Sequence, residues 1–280
     1  MVDNTIDYIA EIGINHNGSF DKARILVEAA ANAGATVAKF QTYITSSRAQ
    51  TTSPVYELLS SCELPFSAFE KLKTFTEDHG MIFSSTPFCT ESFNFLASIH
   101  TKYIKIASFH LSNQKLLRHI LSRAENITKL ILSTGLSTPA SIQKTCNLAR
   151  HILGSQHTLE KIIFMHCISQ YPVTKIEDFN LVNIPLIRQI TDCSVGYSDH
   201  TTGHKAAELS IALGARTIEK HFTTDSSQSG ADHHMSSTPS EFRILVEACN
   251  SVITMLGVER SISKFECELP IHPFNVITDD

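Results

Sequence analysis

Ionisable side chains stand inside short apolar segments in the last third of this sequence. The segment GYSDHTTGH at 196–204 carries His200, and the segment IEKHFTTD at 218–225 carries Glu219 and His221. Burying an ionisable group is costly unless it is paired or bound to something, so these segments do more than support a fold. Two imidazoles can bind one divalent cation and leave positions open for water or substrate oxygens, as a Lewis-acid site requires.

Two lysines occupy comparable positions earlier in the chain. Lys39 stands in TVAKFQTY and Lys105 in YIKIASF, both apolar segments with hydroxyl residues close by. Lysines and hydroxyls that face one cavity form a site for a multiply charged anion, most simply one with a phosphate and a carboxylate. Glu11, in YIAEIGI, would lie beside the segment that carries His221 if the first and last of these segments pair, and it is the candidate for managing a proton there.

The elements that would position these residues repeat eight times. Short β-rich apolar runs alternate with amphipathic helical runs such as 21–35, 204–215 and 237–256. The predicted strands are 8–14, 36–43, 81–88, 103–109, 129–136, 161–168, 193–200 and 217–223. Eight such units in a chain of this length indicate an α/β fold with a single (β/α)₈ TIM barrel, and the Gly-rich phosphate turn typical of an open doubly wound sheet is absent.

We therefore predict one barrel domain over 1–257, followed by a short C-terminal tail at 258–280. The polar, Ser/Thr-rich segment 44–65 is predicted to be a loop over the mouth of the barrel. The loop at 230–237 contributes Asp232, which we favour over the neighbouring histidines as a site residue.

Barrel active sites lie at the C-terminal ends of the strands, and polar residues follow every predicted strand of this chain. A single serine or histidine there is more often structural, but the recurrence at one end of all eight strands indicates an active site. The candidate residues at these strand ends are Glu11, Lys39, Gln41, Thr86, Lys105, Ser108, Ser133, Ser169, Tyr171, Ser198, His200 and His221.

Composition excludes several other classes of function. The net charge is −5 and Lys and Arg do not cluster, which argues against a nucleic-acid or anionic-membrane surface. Seven scattered cysteines without CxxC spacing favour reduced thiols and a cytoplasmic protein. The sequence shows neither a signal peptide nor an apolar stretch of roughly 20 residues that could span a membrane.

Nine short motifs, in order along the chain, resemble the sialic acid synthase family. They are AEIGINHNGS (10–19), KFQTY (39–43), SSTPF (84–88), KIAS (105–108), ILSTG (131–135), HCISQYP (166–172), GYSDHT (196–201), IEKHFT (218–223) and GADH (230–233), with the likeness continuing to about residue 257. The resemblance implies that phosphoenolpyruvate condenses with an N-acetylated amino-hexose, similar to N-acetylmannosamine, to give a sialic-acid-type sugar and phosphate. N-acetylneuraminate, legionaminic and pseudaminic acid are the possible products.

The resemblance also implies roles for individual residues. Lys39, Thr86, Lys105, Ser108, Ser133 and Ser198 would bind phosphoenolpyruvate, and Glu11, Tyr171 and Asp232 would bind the sugar. His200 and His221 would bind a divalent metal, for which Mn²⁺ is favoured over Mg²⁺ or Co²⁺. Gln41 and Ser169 are assigned to substrate binding as well, and the predicted catalytic residues are Glu11, Lys39, Lys105, His110 and Asp232.

Two departures from the family pattern matter. His110 stands where the family commonly has an acidic residue, and only a short tail stands where relatives usually have an antifreeze-like C-terminal domain. We expect a homodimer in which the tail, with its apolar segment at 265–274, packs near the mouth of the barrel. The alternative is that a separately encoded antifreeze-like domain closes the mouth. The alternatives are a degenerate barrel that binds phosphoenolpyruvate without turnover, and another metal-assisted enzyme such as an aldolase or a 3-deoxy-heptulosonate-type synthase.

Overall fold

Eight parallel strands close into a barrel in the computed structural model of the chain, which describes residues 5–257. Each strand pairs with the next along the chain, and the first strand also pairs with the last. The strands are β1 (Asp7–Gly13), β2 (Val37–Thr42), β3 (Ile82–Pro87), β4 (Tyr103–Ile106), β5 (Lys129–Ser133), β6 (Ile162–His166), β7 (Ser194–Asp199) and β8 (Thr217–His221). The predicted (β/α)₈ barrel is confirmed.

Helices surround the strands and cover their outer faces. They are α1 (Phe20–Asn32), α2 (Thr45–Arg48), α3 (Tyr56–Cys62), α4 (Phe66–Asp78), α5 (Thr90–Ser98), α6 (Gln114–Leu121), α7 (Pro139–Leu153), α8 (Ser155–Lys161), α9 (Asn183–Thr191), α10 (Lys205–Ala212) and α11 (Pro239–Leu256). The predicted start of the last helix is confirmed, because Thr238 and Glu241 form a capping box and Pro239 occupies the first turn.

The inner faces of the strands form two layers of different chemistry. Five buried side chains fill the lower layer, toward the N-terminal ends of the strands: Ile9, Val37, Tyr103, Ile131 and Ile163. Four buried charged residues form the upper layer, toward the C-terminal ends: Glu11, Lys39, Lys105 and Glu219. Because alternate strand residues share a face, Glu11, Lys39 and Lys105 each stand two residues after a member of the lower layer.

The segment 44–65 contains more structure than predicted. It was expected to be a loop, but it includes α2 and α3, which hydrogen bonds attach to the end of β2. The Tyr43 hydroxyl donates to the Leu59 carbonyl at 2.8 Å, and the Thr45 amide donates to Glu63 Oε2 at 2.8 Å. Leu59 and Cys62 are buried against Tyr43 in a small apolar cluster. The segment lies over the mouth of the barrel, as predicted, because several of its side chains line the cavity described below.

No helix within residues 5–257 is long and apolar enough to cross a membrane. The cysteines of this part of the chain are free thiols. The predicted tail at 258–280, and its predicted packing near the mouth, lie outside the described residues.

Candidate active site

A cavity of about 470 Å³ opens at the C-terminal end of the barrel. The predicted site residues that line it are Glu11, Lys39, Gln41, Thr86, Lys105, Ser108, Ser133, Ser169, Tyr171, Ser198, His200, His221 and Asp232. The structure therefore brings residues from all eight strand ends, and from the loop after β8, to one space. His110 is the predicted site residue that does not line it.

The four charged residues of the upper layer form a buried network at the floor of this cavity. Lys39 Nζ lies 2.5 Å from Glu11 Oε2 and 3.6 Å from Glu219 Oε2, and Lys105 pairs with Glu219 Oε1. Strand register explains the first contact, since Glu11 and Lys39 are partners in the β1–β2 ladder. Buried ion pairs lose so much hydration that they contribute little net stability, which favours a functional reason for this network.

The network keeps Glu219 and Lys39 ionised. Burial alone would raise the pKa of Glu219, but the ammonium groups of Lys105 and Lys39 hold that pKa well below its usual range. Burial alone would lower the pKa of Lys39, yet the carboxylates of Glu11 and Glu219 raise it. Glu219 and Lys39 thus stay charged at the floor of the cavity.

Hydroxyl groups surround the two lysines. Lys39 Nζ donates to Thr86 Oγ1 at 3.4 Å, and Lys105 Nζ donates to Ser198 Oγ at 3.4 Å. Ser198 in turn donates to Glu219 Oε1 at 2.9 Å. The buried Ser133 hydroxyl has no hydrogen-bond partner among residues 5–257, so it can bind a substrate oxygen without breaking a bond within that part of the chain.

A glycine after β5 lets side chains from the ends of β4 and β6 approach one another. A Cβ atom at Gly135 would lie 2.4 Å from Ser169 Oγ, 2.7 Å from Ser108 Oγ and 2.9 Å from Cys167 Sγ. Any larger residue would push these groups apart. Gly135 is the last residue of the ILSTG motif, but the sequence alone did not indicate a role for it.

Two imidazoles stand side by side on the opposite wall. The ring centroids of His200 and His221 are 5.8 Å apart. His200 Nδ1 donates to the Ile168 carbonyl at 2.7 Å, which leaves Nε2 as the acceptor, 3.3 Å from Ser198 Oγ. Burial, together with the neighbouring His221, lowers the pKa of His200 to about 3. The ring is therefore neutral at physiological pH, which is the form that binds metals.

The two histidines fit part of a metal site. Histidine ligands of metals commonly donate their other ring N–H to a carbonyl, as His200 does. His221 Nδ1 is buried, 3.7 Å from Asp232 Oδ2, and has no hydrogen-bond partner in the part of the chain that the structure describes. Within the described residues, no group of three or more His, Cys, Asp or Glu side chains is arranged to hold a metal ion. The two imidazoles would thus supply two nitrogen ligands, and oxygen ligands would have to complete the coordination.

The model of the NeuB family matches residues 26–261, which is most of the chain. The chain belongs to the NeuB family. It is 39% identical over 249 residues to an uncharacterized protein of Methanocaldococcus jannaschii, with 89% of this chain and 71% of that protein covered. It is 34% identical over 263 residues to N,N'-diacetyllegionaminic acid synthase of Legionella pneumophila, with 89% and 72% covered.

A solved structure agrees with this assignment. The crystal structure of N-acetylneuraminic acid (sialic acid) synthetase from Leptospira borgpetersenii, in complex with citrate, superposes with a TM-score of 0.87 at 29% sequence identity. The match covers 94% of this NeuB family chain and 90% of that one. The resemblance to the sialic acid synthase family is confirmed.

Arg48 is a cavity residue of this NeuB protein that sequence reasoning missed. Its guanidinium donates to Gln41 Oε1 at 3.0 Å and lies over the ring of Phe88, with Cζ 3.7 Å from the ring centroid, and of Tyr43, at 4.6 Å. Such stacking fixes an arginine in place. Arg48 belongs to α2, inside the segment expected to be an irregular loop, where the sequence gave no signal for it.

Glu219 was recognised as a costly buried group but received no role in the site. It contacts both lysines and Ser198, and is therefore the central member of the network. The signal was available, because Glu219 stands two residues before His221 on the same strand and so faces the same way.

His110 lies outside the cavity wall. Its ring packs against Phe109, with centroids 4.5 Å apart, and against Phe88, at 6.0 Å. β4 ends at Ile106 and Ser108–His110 forms a 3₁₀ turn, so the strand alternation does not extend to this residue. Its predicted catalytic role has no contact with the cavity to support it and stays a prediction.

Proposed function

We propose that this NeuB family protein condenses phosphoenolpyruvate with an N-acylated amino-hexose to give a nine-carbon sialic-acid-type sugar and phosphate. The observation that carries the proposal is the pair Lys39 and Lys105, buried at the floor of the cavity and surrounded by hydroxyls. The relatives named as legionaminic and N-acetylneuraminic acid synthases support the same reaction class.

The floor of the cavity suits a phosphate and a carboxylate. Each lysine ammonium has three N–H donors, and charged hydrogen bonds in a shielded site are the strong ones. An anion that reaches Lys39 competes with Glu11, whose Oε2 lies 2.5 Å from Nζ but receives no well-directed hydrogen bond. Thr86, Ser133 and Ser198 supply further donors. Binding of phosphoenolpyruvate would therefore release Glu11 from its lysine.

The proposed reaction forms a C–C bond and releases phosphate. C3 of phosphoenolpyruvate forms a bond to the aldehyde carbon of the open-chain sugar, and the aldehyde oxygen takes up a proton to become a hydroxyl. Water adds to C2 of the former phosphoenolpyruvate and loses one proton. The C–O bond to phosphate then breaks, and the new C2 hydroxyl gives its proton to the departing phosphate, which leaves a ketone. Glu11, once released from Lys39, is positioned to accept the proton of the water. The lysines hold the enol phosphate in one orientation for the attack.

The sugar would occupy the outer part of the cavity. Tyr171, whose ring centroid lies 4.2 Å from that of His200, and Asp232 beside His221 offer a hydroxyl and a carboxylate there. Gln41 and Ser169 line the same cavity. A divalent cation, Mn²⁺ rather than Mg²⁺ or Co²⁺, would be held by His200 and His221 and would supply Lewis acidity toward the aldehyde oxygen.

The acceptor sugar, the location and the oligomeric state of the enzyme are also part of the proposed function. The two relatives named above make differently substituted sugars, so the acceptor is either N-acetylmannosamine or a 2,4-diacetamido hexose. We further propose a cytoplasmic homodimer.

The test is a reaction with phosphoenolpyruvate, Mn²⁺ and each acceptor in turn, followed by phosphate release and product mass. We expect phosphate to appear in step with a product that has three more carbons than the acceptor. Binding of phosphoenolpyruvate by calorimetry with no phosphate release would favour the degenerate barrel. Release only with unrelated aldoses would favour another metal-assisted synthase.

A further inference from the structure

A second ion pair stands at the ends of β7 and β8, on the opposite face of the strands from the cavity. Lys220 Nζ lies 2.9 Å from Asp199 Oδ2, and both side chains are buried. Their chain neighbours Ser198, His200, Glu219 and His221 all line the cavity. Because strand residues alternate between faces, the pair lies directly behind the two imidazoles.

The pair marks the place where the two strands stop pairing. The last register partners of the β7–β8 ladder are Asp199 and Lys220. His200 and His221 are the next residue on each strand, just beyond that last pair. Backbone pairing between β7 and β8 therefore does not set the separation of the two imidazoles, and the Asp199–Lys220 pair is the interaction between these strands that immediately precedes them.

The same pair fixes the backbone on both sides of His200. Asp199 Oδ1 accepts from the Thr201 amide at 2.9 Å and from its hydroxyl at 2.8 Å. Lys220 Nζ donates to the Thr201 carbonyl at 2.7 Å. His200 thus stands between two residues that are bound to one ammonium group on the neighbouring strand.

We propose that Asp199 and Lys220 are positioning residues, which set the spacing and direction of His200 and His221 so that both imidazoles can bind one cation. The inference rests on the proposed function, since it assigns these residues to the metal pair of that site. A buried ion pair is no better for stability than well-packed apolar residues. Lys220 donates directed hydrogen bonds to Asp199 and Thr201, and these bonds fix the position of the backbone that carries His200. Apolar packing would not provide this directionality.

The experiment compares two variants with the wild type, using Mn²⁺ as the probe. Asp199→Asn/Lys220→Gln removes both charges, keeps polar groups and leaves every cavity residue in place. Leu130→Ala is the matched control. Leu130 is buried on the outer face of β5, and loss of its side chain destabilises the fold away from β7 and β8. Mn²⁺ binding is measured by electron paramagnetic resonance, phosphoenolpyruvate binding to metal-free protein by calorimetry, and unfolding by heat.

We expect the double variant to bind Mn²⁺ about 10- to 100-fold more weakly, the usual loss when residues that orient metal ligands are changed. Its affinity for phosphoenolpyruvate should stay within about twofold, because Lys39 and Lys105 are untouched. Leu130→Ala should lower the unfolding temperature and leave Mn²⁺ affinity unchanged.

Unchanged Mn²⁺ affinity in the double variant, or an equal loss in Leu130→Ala, would overturn the inference and leave the proposed function standing. If the double variant does not fold, Lys220→Arg keeps the charge but alters the directed bonds, and it should still weaken Mn²⁺ binding. A wild-type protein that binds no Mn²⁺ would contradict the metal part of the proposed function itself, and with it this inference.

Discussion

The two layers inside the barrel are built from the same strands, two residues apart, yet their chemistry is opposite. Ile9, Val37 and Tyr103 belong to the apolar lower layer, whereas the next inward-facing residue on each of those strands is Glu11, Lys39 or Lys105. The lower layer is packed with large side chains, while the upper layer borders a cavity of about 470 Å³.

The difference separates stability from function along one strand. Apolar side chains that fill a barrel interior stabilise the fold by their burial. Charged side chains in the same interior lose hydration and recover it only partly through ion pairs. The upper layer is therefore where substitutions should change binding and catalysis, and the lower layer is where they should change the free energy of unfolding.

The largest effect is expected from the imidazoles above the upper layer. His200→Ala or His221→Ala should reduce Mn²⁺ affinity and lower turnover by orders of magnitude, since no other described group can supply the Lewis acidity of an ion. Equilibrium dialysis with metal analysis and the phosphate-release assay measure the two quantities. His157→Ala, an exposed histidine on α8, is the control. Full Mn²⁺ occupancy in a protein that carries both His200→Ala and His221→Ala would show that the metal is held elsewhere.

A substitution in the lower layer should give the opposite pattern. Ile163→Ala removes a buried side chain whose neighbours in the sheet are Ile131 and Ser194, and we expect it to lower the free energy of unfolding by about 2 to 5 kcal/mol. Phosphoenolpyruvate affinity of the folded protein should stay within about twofold. Denaturant unfolding and calorimetry on one preparation check both values. A large loss of affinity at unchanged stability would mean that the two layers are not separable in this way.

A smaller effect, of up to about 3 kcal/mol, is expected from pH at the turn that follows β1. Burial lowers the pKa of His16 to about 4, although its backbone hydrogen bond at Gly13 opposes this. The unfolded chain takes up the proton near pH 6.5, before the folded protein does, so stability should fall as pH falls from about 6.5 to 4.

His16→Asn keeps an acceptor for the Gly18 amide that His16 Nδ1 now binds at 3.2 Å. Its stability should decline less than that of wild type over this range of pH, as measured by urea unfolding at several pH values. Parallel curves for the two proteins would show that His16 does not titrate as expected.

The smallest effect is expected at His110, which packs against Phe88 and Phe109 beside the cavity. Burial and the nearby Arg48 lower its pKa, so the ring is neutral at physiological pH. His110→Glu should leave phosphoenolpyruvate affinity within about twofold and change the ratio of kcat/KM for two acceptor sugars by a few-fold. Ser112→Glu adds the same charge at a nearby exposed position. Identical acceptor preference and pH profile in His110→Glu and wild type would remove His110 from the account of specificity.

The sequence predicted the barrel and most of its site because both follow from local regularities. Eight alternations of strand and helix define the fold, and the period of two along a strand places Lys39 and Gln41 on one face. The closed order of strands brings Glu11 beside His221, as their register confirms. These inferences need only the spacing of residues and the closure of the sheet.

The remaining features depend on contacts that spacing does not reveal. Arg48 reaches the cavity because the rings of Phe88 and Tyr43, from other parts of the chain, hold its guanidinium. His110 is turned away because a 3₁₀ turn replaces the strand after Ile106. The helices α2 and α3 form in a Ser/Thr-rich segment because Leu59 and Cys62 find an apolar cluster to pack against. Each of these outcomes was decided by tertiary packing.

Phosphoenolpyruvate binding to Lys105→Met tests the central claim most directly, because Lys105 is the upper-layer cation that stands two residues after Tyr103 of the lower layer. Calorimetry on the wild type, Lys105→Met and the exposed-lysine control Lys205→Met gives the comparison. We expect the wild type and the control to bind alike, and Lys105→Met to lose about 2 to 4 kcal/mol of binding free energy, as for a charged hydrogen bond in a shielded site. Equal affinity in all three proteins, with Lys105→Met still folded, would contradict the assignment of the upper layer as the substrate site.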